Sequence, residues 1–211
     1  MALDRNILLI IGSGHRADAY GAADIWPVLT PHLDALAGDG LDMICAAHAP
    51  ALISLFTGQH PRQHGVIDDD APLPAITGFP GQCQQGGCHL AGVGRVGPIA
   101  PLLDQATIVA DVDQHHDPDC QYLDFAANLH LLDLIQTQRQ HRAQHGPFDL
   151  AASDLDNPAH DIDGFITDRA IQTIDALPRD QPWVTIVALT GPGNHLPAPK
   201  HFHDMIDPAA L

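Results

Sequence analysis

Lysine is nearly absent from this sequence, since Lys200 is the only one in 211 residues. Nine basic residues stand against 26 acidic ones, which gives a formal net charge of -17 at pH 7. Because so acidic a surface repels phosphate backbones and anionic lipids, this balance argues against partners such as nucleic acid or membranes. An acid-rich, lysine-poor chain also suits high salt, where charge repulsion is screened. The composition therefore predicts a halophilic protein.

Long hydrophobic runs are missing as well. The apolar stretch NILLII at residues 6–11 is far too short to cross a bilayer. The sequence GSGHR follows it, without the small-residue pattern of a signal-peptide cleavage site. We therefore predict a cytoplasmic protein in which residues 6–11 form a buried strand.

Cysteine is scarce, with only Cys45, Cys83, Cys88 and Cys120. Of these, Cys83 and Cys88 alone lie close together, with four residues between them, and His89 follows directly. That spacing leaves a zinc site as an alternative, although no second close pair of ligands is evident. The simpler prediction is reduced, unpaired thiols in a cytoplasmic protein that needs no cofactor.

Apolar segments of strand length and of helix length alternate along the chain. Strands are predicted at 6–11, 41–46, 88–94 and 183–190, and helices at 30–40, 50–58, 122–144 and 164–177. The acidic, histidine-bearing stretches at 111–120 and 149–164 are predicted to be solvated loops, with cation binding as the alternative. This alternation, without an internal repeat, predicts a single α/β domain over residues 1–211 with a mainly parallel sheet.

Several segments, in order along the chain, carry a resemblance to a known family. They are NILLIIGSGHRADAYGA (6–22), TPHLDALAGDGLDM (30–43), SLFTGQHPRQHGV (54–66), TDRAIQTIDAL (167–177) and WVTIVALTGPGNHLPAPKHFHDM (183–205). Together they resemble the N-terminal part of a sulfatase, in the alkaline phosphatase superfamily. The resemblance implies a three-layer αβα sandwich with a mainly parallel central sheet. It is evidence for the fold and not for the activity.

At the positions where the resemblance places catalytic groups, this chain carries other residues. Ser13 and Gly14 stand in place of an Asp-Asp pair that binds a divalent cation, and His48 stands in place of the Cys or Ser nucleophile. Leu52 stands in place of an arginine, Arg95 in place of a lysine and Gly193 in place of a histidine. A hydroxyl and a hydrogen atom cannot replace two carboxylate ligands of a hard cation. The sequence thus resembles a truncated, catalytically degenerate sulfatase. For such a chain we predict no sulfatase activity and a role in binding or assembly.

A rebuilt site is the alternative that the sequence leaves open. Loops after parallel strands meet at one edge of the sheet, which would bring His15, His48 and His195 together with Arg95. Three imidazoles suit zinc, copper or nickel better than a hard cation, so this alternative is a hydrolase or a transition-metal-binding protein. A further alternative is a small-anion binder, in which Arg16 and Arg95 supply charge beside the glycine loop.

The resemblance also leads to a prediction about assembly. Strands that a full sulfatase adds to its sheet have no counterpart in this sequence, so an edge of the sheet should be exposed. Exposed edges are usually covered, and self-association is one way to cover them. We therefore predict a homodimer or higher oligomer.

Overall fold

The computed structural model describes residues 5–16, 18–38, 48–68, 71, 77–103, 106–111, 120–145, 155, 157–192 and 198–205. Its strands are β1 (Ile7–Ser13), β2 (His89–Gly94), β3 (Thr107–Asp111) and β4 (Trp183–Pro192). Its α-helices are α1 (Pro31–Gly38), α2 (His48–Thr57), α3 (Pro61–His64), α4 (Phe79–Gln85), α5 (Gln121–Asn128), α6 (Leu132–His145), α7 (Ile162–Ala176) and α8 (Lys200–His203). Short 3-10 helices cover Gly21–Ala23, Gly97–Leu102 and Pro158–His160.

The strands lie parallel in one sheet, in the order β1-β4-β2-β3. The first and last strands in the described part of the chain are therefore neighbours. β4 has a strand on each side, and its Val187 aligns with Ile10 of β1 and with Val93 of β2. Because parallel neighbours must be joined by crossovers, helices come to lie on the faces of the sheet.

Apolar side chains pack on both faces of the sheet, which is why β2 and β4 are apolar almost throughout. On one face, Ile186 of β4 belongs to a core that includes Ile53 and Phe56 of α2. On the opposite face, Val187 belongs to a second core that includes Phe165 of α7. A sheet enclosed by helices on both faces confirms the predicted three-layer αβα sandwich.

β1 forms one edge of the described sheet, and its cover is incomplete on the α7 face. Val93, Val187 and Ile10 occupy one row across three strands, with 0%, 5% and 60% of their surfaces exposed. In the next row, Thr185 of β4 is fully buried and its neighbour Leu8 is 47% exposed. α7 packs against β2, β3 and β4. The apolar cover on this face therefore ends before β1.

The helix predicted at 122–144 is wrong as a single element. The chain forms α5 and α6 there, and His130 between them has a left-handed backbone with φ of 57°. Tyr122 and Ala126 of α5 and Ile135 of α6 still reach one core. The break thus changes the course of the chain while both helices still pack into the same core.

The other predicted strands and helices are either confirmed or lie outside the described residues. Confirmed are the strands at 6–11, 88–94 and 183–190 and the helices at 30–40, 50–58 and 164–177. The strand predicted at 41–46 lies outside the described residues, as does most of the stretch at 111–120. β3 was not predicted. In the stretch predicted as a loop at 149–164, residues 158–160 form a 3-10 helix and α7 begins at Ile162.

Among the described residues, no helix is both long enough and apolar enough to cross a bilayer.

Candidate functional site

The carboxyl ends of β1, β2 and β4 meet at one edge of the sheet. β1 ends at Ser13, which pairs with Pro192 at the end of β4. β2 ends at Gly94, immediately before Arg95. Ser13, Gly14 and Arg95 therefore lie at the same edge, on either side of β4. In open α/β sheets, ligands bind in the loops at this edge.

The turn after β1 supplies few ligands for a cation. Gly14 has a left-handed backbone with φ of 72°. A side chain at this position would be strained by roughly 1 kcal/mol or more. The His15 ring lies 2.9 Å through Nε2 from the carbonyl oxygen of Ala19, within the same loop. With a hydroxyl at Ser13 and no side chain at Gly14, this pair does not fit a hard divalent cation, which prefers several carboxylate oxygens.

Arg16 is engaged by an acidic neighbour on the exposed surface. Its guanidinium donates to both carboxylate oxygens of Asp18, at 2.8 and 2.6 Å, and lies 5.8 Å from the centroid of the Trp26 ring. Trp26 Nε1 donates to the same carboxylate at 3.0 Å. The hydrogen bonds from Arg16 and then from Trp26 hold the pKa of Asp18 well below its usual range. Arg16 therefore has a partner already, which weakens the prediction of an anion site on that charge.

α2 contains Leu52 and His48, which the sequence resemblance aligns with an arginine and a nucleophile. Leu52 is half-buried and packs against the core that contains Ile53 and Phe56. Its side chain thus contributes to packing on one face of the sheet. His48 is the first residue of α2, and its side chain lies outside what the structure describes.

A hydrogen-bonded pair that the sequence did not reveal connects α2 with α3. Val66 N donates to His64 Nδ1 at 3.1 Å, which in the neutral ring leaves the proton on Nε2. His64 Nε2 then donates to Ser54 Oγ at 3.0 Å, and Ser54 Oγ donates to the carbonyl oxygen of Pro50 at 2.8 Å. His64 is buried. These groups satisfy one another, as buried polar groups require, so the pair serves the fold.

Asp163, in the first turn of α7, fastens the carboxyl end of β4. Its carboxylate accepts from Thr190 N at 2.7 Å, from Thr190 Oγ at 2.8 Å and from Gly191 N at 2.8 Å. A Cβ atom on Gly191 would lie 2.6 Å from one of the Asp163 oxygens, so the close approach needs glycine. No pattern in the sequence indicated this role, because Asp163 lies in an acidic stretch predicted to be a loop.

The predicted histidine site is only partly within the described residues. His15 lies at the carboxyl edge, whereas His195 and Gly193 lie outside the described residues and the side chain of His48 is not described. Where side chains are described, no group of three or more His, Cys, Asp or Glu residues is arranged to hold a metal ion. The rebuilt histidine site therefore stays a prediction.

Comparisons with known proteins give the fold a precedent. No protein-family model and no curated protein sequence matches the chain. Its structure is similar to the phosphonate monoester hydrolase of Agrobacterium radiobacter, with a TM-score of 0.74 and 22% identity over 97% of this chain. It is also similar to a protein solved in complex with its substrate D-glucosamine-2-N,6-O-disulfate, with a TM-score of 0.61 and 19% identity, again over 97%. The chain spans 44% and 38% of those two chains. This chain therefore has a sulfatase/alkaline-phosphatase-like fold, and it corresponds to less than half of each of those two chains.

Proposed function

We propose that this chain, which shares its fold with a phosphonate monoester hydrolase and with a protein solved in complex with a glucosamine disulfate substrate, is a sulfatase-like protein without ester hydrolase activity. Its role is binding or assembly, it uses no cofactor, and it works in the cytoplasm of a cell at high salt. The free thiols of Cys83, Cys88 and Cys120 and the net charge of -17 support the cellular setting.

The observation that carries the proposal is the turn after β1. The resemblance implies two carboxylates at this carboxyl edge, and the chain presents Ser13 and a left-handed Gly14 there. Leu52, at the position of the family arginine, contributes to the core. A hydrolase of this kind depends on a cation that polarises the ester and on charged groups that hold it. Ser13, Gly14 and Leu52 supply neither.

The assembly role is supported by the edge of the sheet at β1. Leu8 and Ile10 are 47% and 60% exposed on the α7 face, and residues 6–13 include no charged side chain. Edge strands that stay unpaired usually carry charges, proline or a strong bulge that prevents pairing. β1 has only a register irregularity between Ile11 and Ser13. In a chain of net charge -17, this neutral apolar edge is a surface on which a second copy meets little repulsion.

The assembly that we propose is a symmetric dimer in which β1 pairs with β1 of a second copy. Such a dimer extends the sheet and brings Leu8 and Ile10 of both copies next to one another on the same face. A twofold interface uses the same patch on both subunits. A stable interface of this type buries more than about 1,000 Å² in total.

Hydrolysis assays test the catalytic half of the proposal. We expect no turnover of an aryl sulfate, an aryl phosphate or a phosphonate monoester above background, with Ca²⁺, Mg²⁺, Mn²⁺ or Zn²⁺ added in turn. The His48→Ala variant is the matched control and should give the same background. A rate in the parent protein that disappears in H48A would overturn the proposal and support the rebuilt site of His15, His48 and His195.

A further inference from the structure

The C-terminus of α4 brings two cysteines together. Cys88 N donates to the carbonyl oxygen of Cys83 at 3.0 Å, and Gly87 N donates to the carbonyl oxygen of Gln84 at 2.9 Å. Gly87 has a left-handed backbone with φ of 89°. This pair of bonds closes a Schellman motif, in which the side chains at the Cys83 and Cys88 positions commonly contact each other. The backbone thus fixes the spacing of the two thiols.

Both thiols belong to the same core. Cys88 is buried within the cluster on the α2 face, and Cys83 is half-buried and packs against that cluster. Burial raises the pKa of the Cys83 thiol, and the nearby Cys88 raises it further. Both cysteines are free in this structure. They are therefore two reduced thiols at the two ends of one Schellman motif, one of them partly open to solvent.

A zinc site at this position, which the sequence left as an alternative, has no further ligands among the described residues. His89 begins β2 directly after Cys88, and successive side chains of a strand point to opposite faces. Where side chains are described, no third His, Cys, Asp or Glu completes the pair. Two ligands do not make the four-coordinate site that structural zinc requires.

We propose that Cys83 and Cys88 are a reversible oxidation site and form a disulfide bond with each other. The oxidant is a low-molecular-weight disulfide such as oxidised glutathione. The Cys83 thiolate attacks one sulfur of the oxidant, forms a mixed disulfide and releases one glutathione thiolate. The Cys88 thiolate then attacks Cys83 Sγ and releases the second glutathione. Two protein thiols are oxidised to one disulfide, and one glutathione disulfide is reduced to two thiols.

The bond would fasten α4 to the start of β2. Phe79 of α4 stacks on Phe56 of α2, with ring centroids 5.4 Å apart. Oxidation therefore adds a covalent connection between the central sheet and the helices on this face. Because only four residues lie between the cysteines, the disulfide bond closes a small ring. Oxidation should therefore leave the surrounding fold unchanged.

The test equilibrates the full chain with glutathione redox buffers, quenches it with acid and measures its intact mass after alkylation. We expect the oxidised protein to lose two hydrogen atoms and two alkylation sites, and an unreduced digest to link the Cys83 and Cys88 peptides. The Cys83→Ser and Cys88→Ser variants should not lose the two hydrogens. The Cys120→Ser variant, which alters a buried cysteine in the other core, should oxidise like the parent.

A second measurement separates the folded geometry from simple closeness in sequence. The equilibrium constant for disulfide formation against glutathione should be at least tenfold higher in the folded protein than in urea. A stable glutathione adduct on Cys83, a link to Cys45 or Cys120, or an equal constant in urea would each overturn the proposal. Circular dichroism of C83S and C88S shows whether those variants fold, and the comparison in urea uses the unaltered chain.

Discussion

The exposed edge at β1 leads to a prediction that one substitution can test. Ile10→Thr should weaken self-association while the single chain stays folded. Threonine keeps the branched Cβ atom that suits a strand and leaves the net charge unchanged. Since 60% of Ile10 is already exposed, the free energy of unfolding of the single chain should change by less than about 0.5 kcal/mol.

The size of the effect follows from the exposed fraction of Ile10. Full burial of an isoleucine side chain contributes about 1.5–3 kcal/mol. With 60% of the residue exposed, its burial in the dimer would contribute at most roughly 1–2 kcal/mol per copy. Contact with the partner's side chains covers part of this surface, and a symmetric dimer includes the change twice, so we expect a loss of about 2 kcal/mol. That loss corresponds to an increase in Kd of about 30-fold.

Sedimentation equilibrium over a range of protein concentrations measures this change. Ile171→Thr is the matched control, because Ile171 is 54% exposed on α7, away from the edge at β1. It should associate like the unaltered chain. A mass near 22.5 kDa for the unaltered chain at every concentration would refute the proposed dimer. An unchanged Kd for I10T would refute the use of β1 as its interface.

Other measurements test the sheet edge, the start of α7 and the surface charge. A Cβ atom on Gly94 would lie 2.2 Å from the Ala188 carbonyl oxygen at φ of 91°, so Gly94→Ala should cost about 3 kcal/mol or more in chemical denaturation. Gly58→Ala, at φ of 67° with open space around it, should cost only about 1–2 kcal/mol. Burial raises the pKa of Asp161, and the Asp163 carboxylate raises it further. The folded state therefore loses stability as the pH rises from the usual pKa of a carboxyl group to this raised pKa. Asp161→Asn should therefore raise the melting temperature at pH 7, and the gain should disappear below about pH 4, where Asp161 is protonated in both states. The melting temperature of the unaltered chain should also rise from low salt to molar salt, because screening weakens the repulsion behind a net charge of -17; a flat curve would contradict this explanation.

The elements that sequence reasoning found are those with long, one-sided or fully apolar patterns. β4 is apolar almost throughout because it is covered on both faces, and this pattern can be recognised directly in its amino-acid sequence. The break at His130 is invisible, because neither glycine nor proline marks it and tertiary packing decides where the chain turns. β3 is only five residues long and precedes an acidic stretch, so its strand signal is weak.

The same limit applies to the candidate site. Parallel strands carry Ser13 and Arg95 to one edge, and this follows from the alternation of strands and helices alone. The hydrogen bonds of Asp163 to Thr190 and Gly191 connect residues far apart in the chain. No local pattern predicts them. The engagement of Arg16 by Asp18 was equally hidden, since the segment at 6–22 was interpreted only through its resemblance to a sulfatase.

The hydrogen bonds among Pro50, Ser54, His64 and Val66 change how the resemblance itself should be interpreted. Ser54 and His64 belong to the segment SLFTGQHPRQHGV. Their hydrogen bonds hold α2 against the turn after α3. A chain can keep both residues for this contact whether or not it hydrolyses a substrate. Similarity in this stretch therefore indicates a shared way of folding, and an assignment of activity has to rest on the residues at the sheet edge.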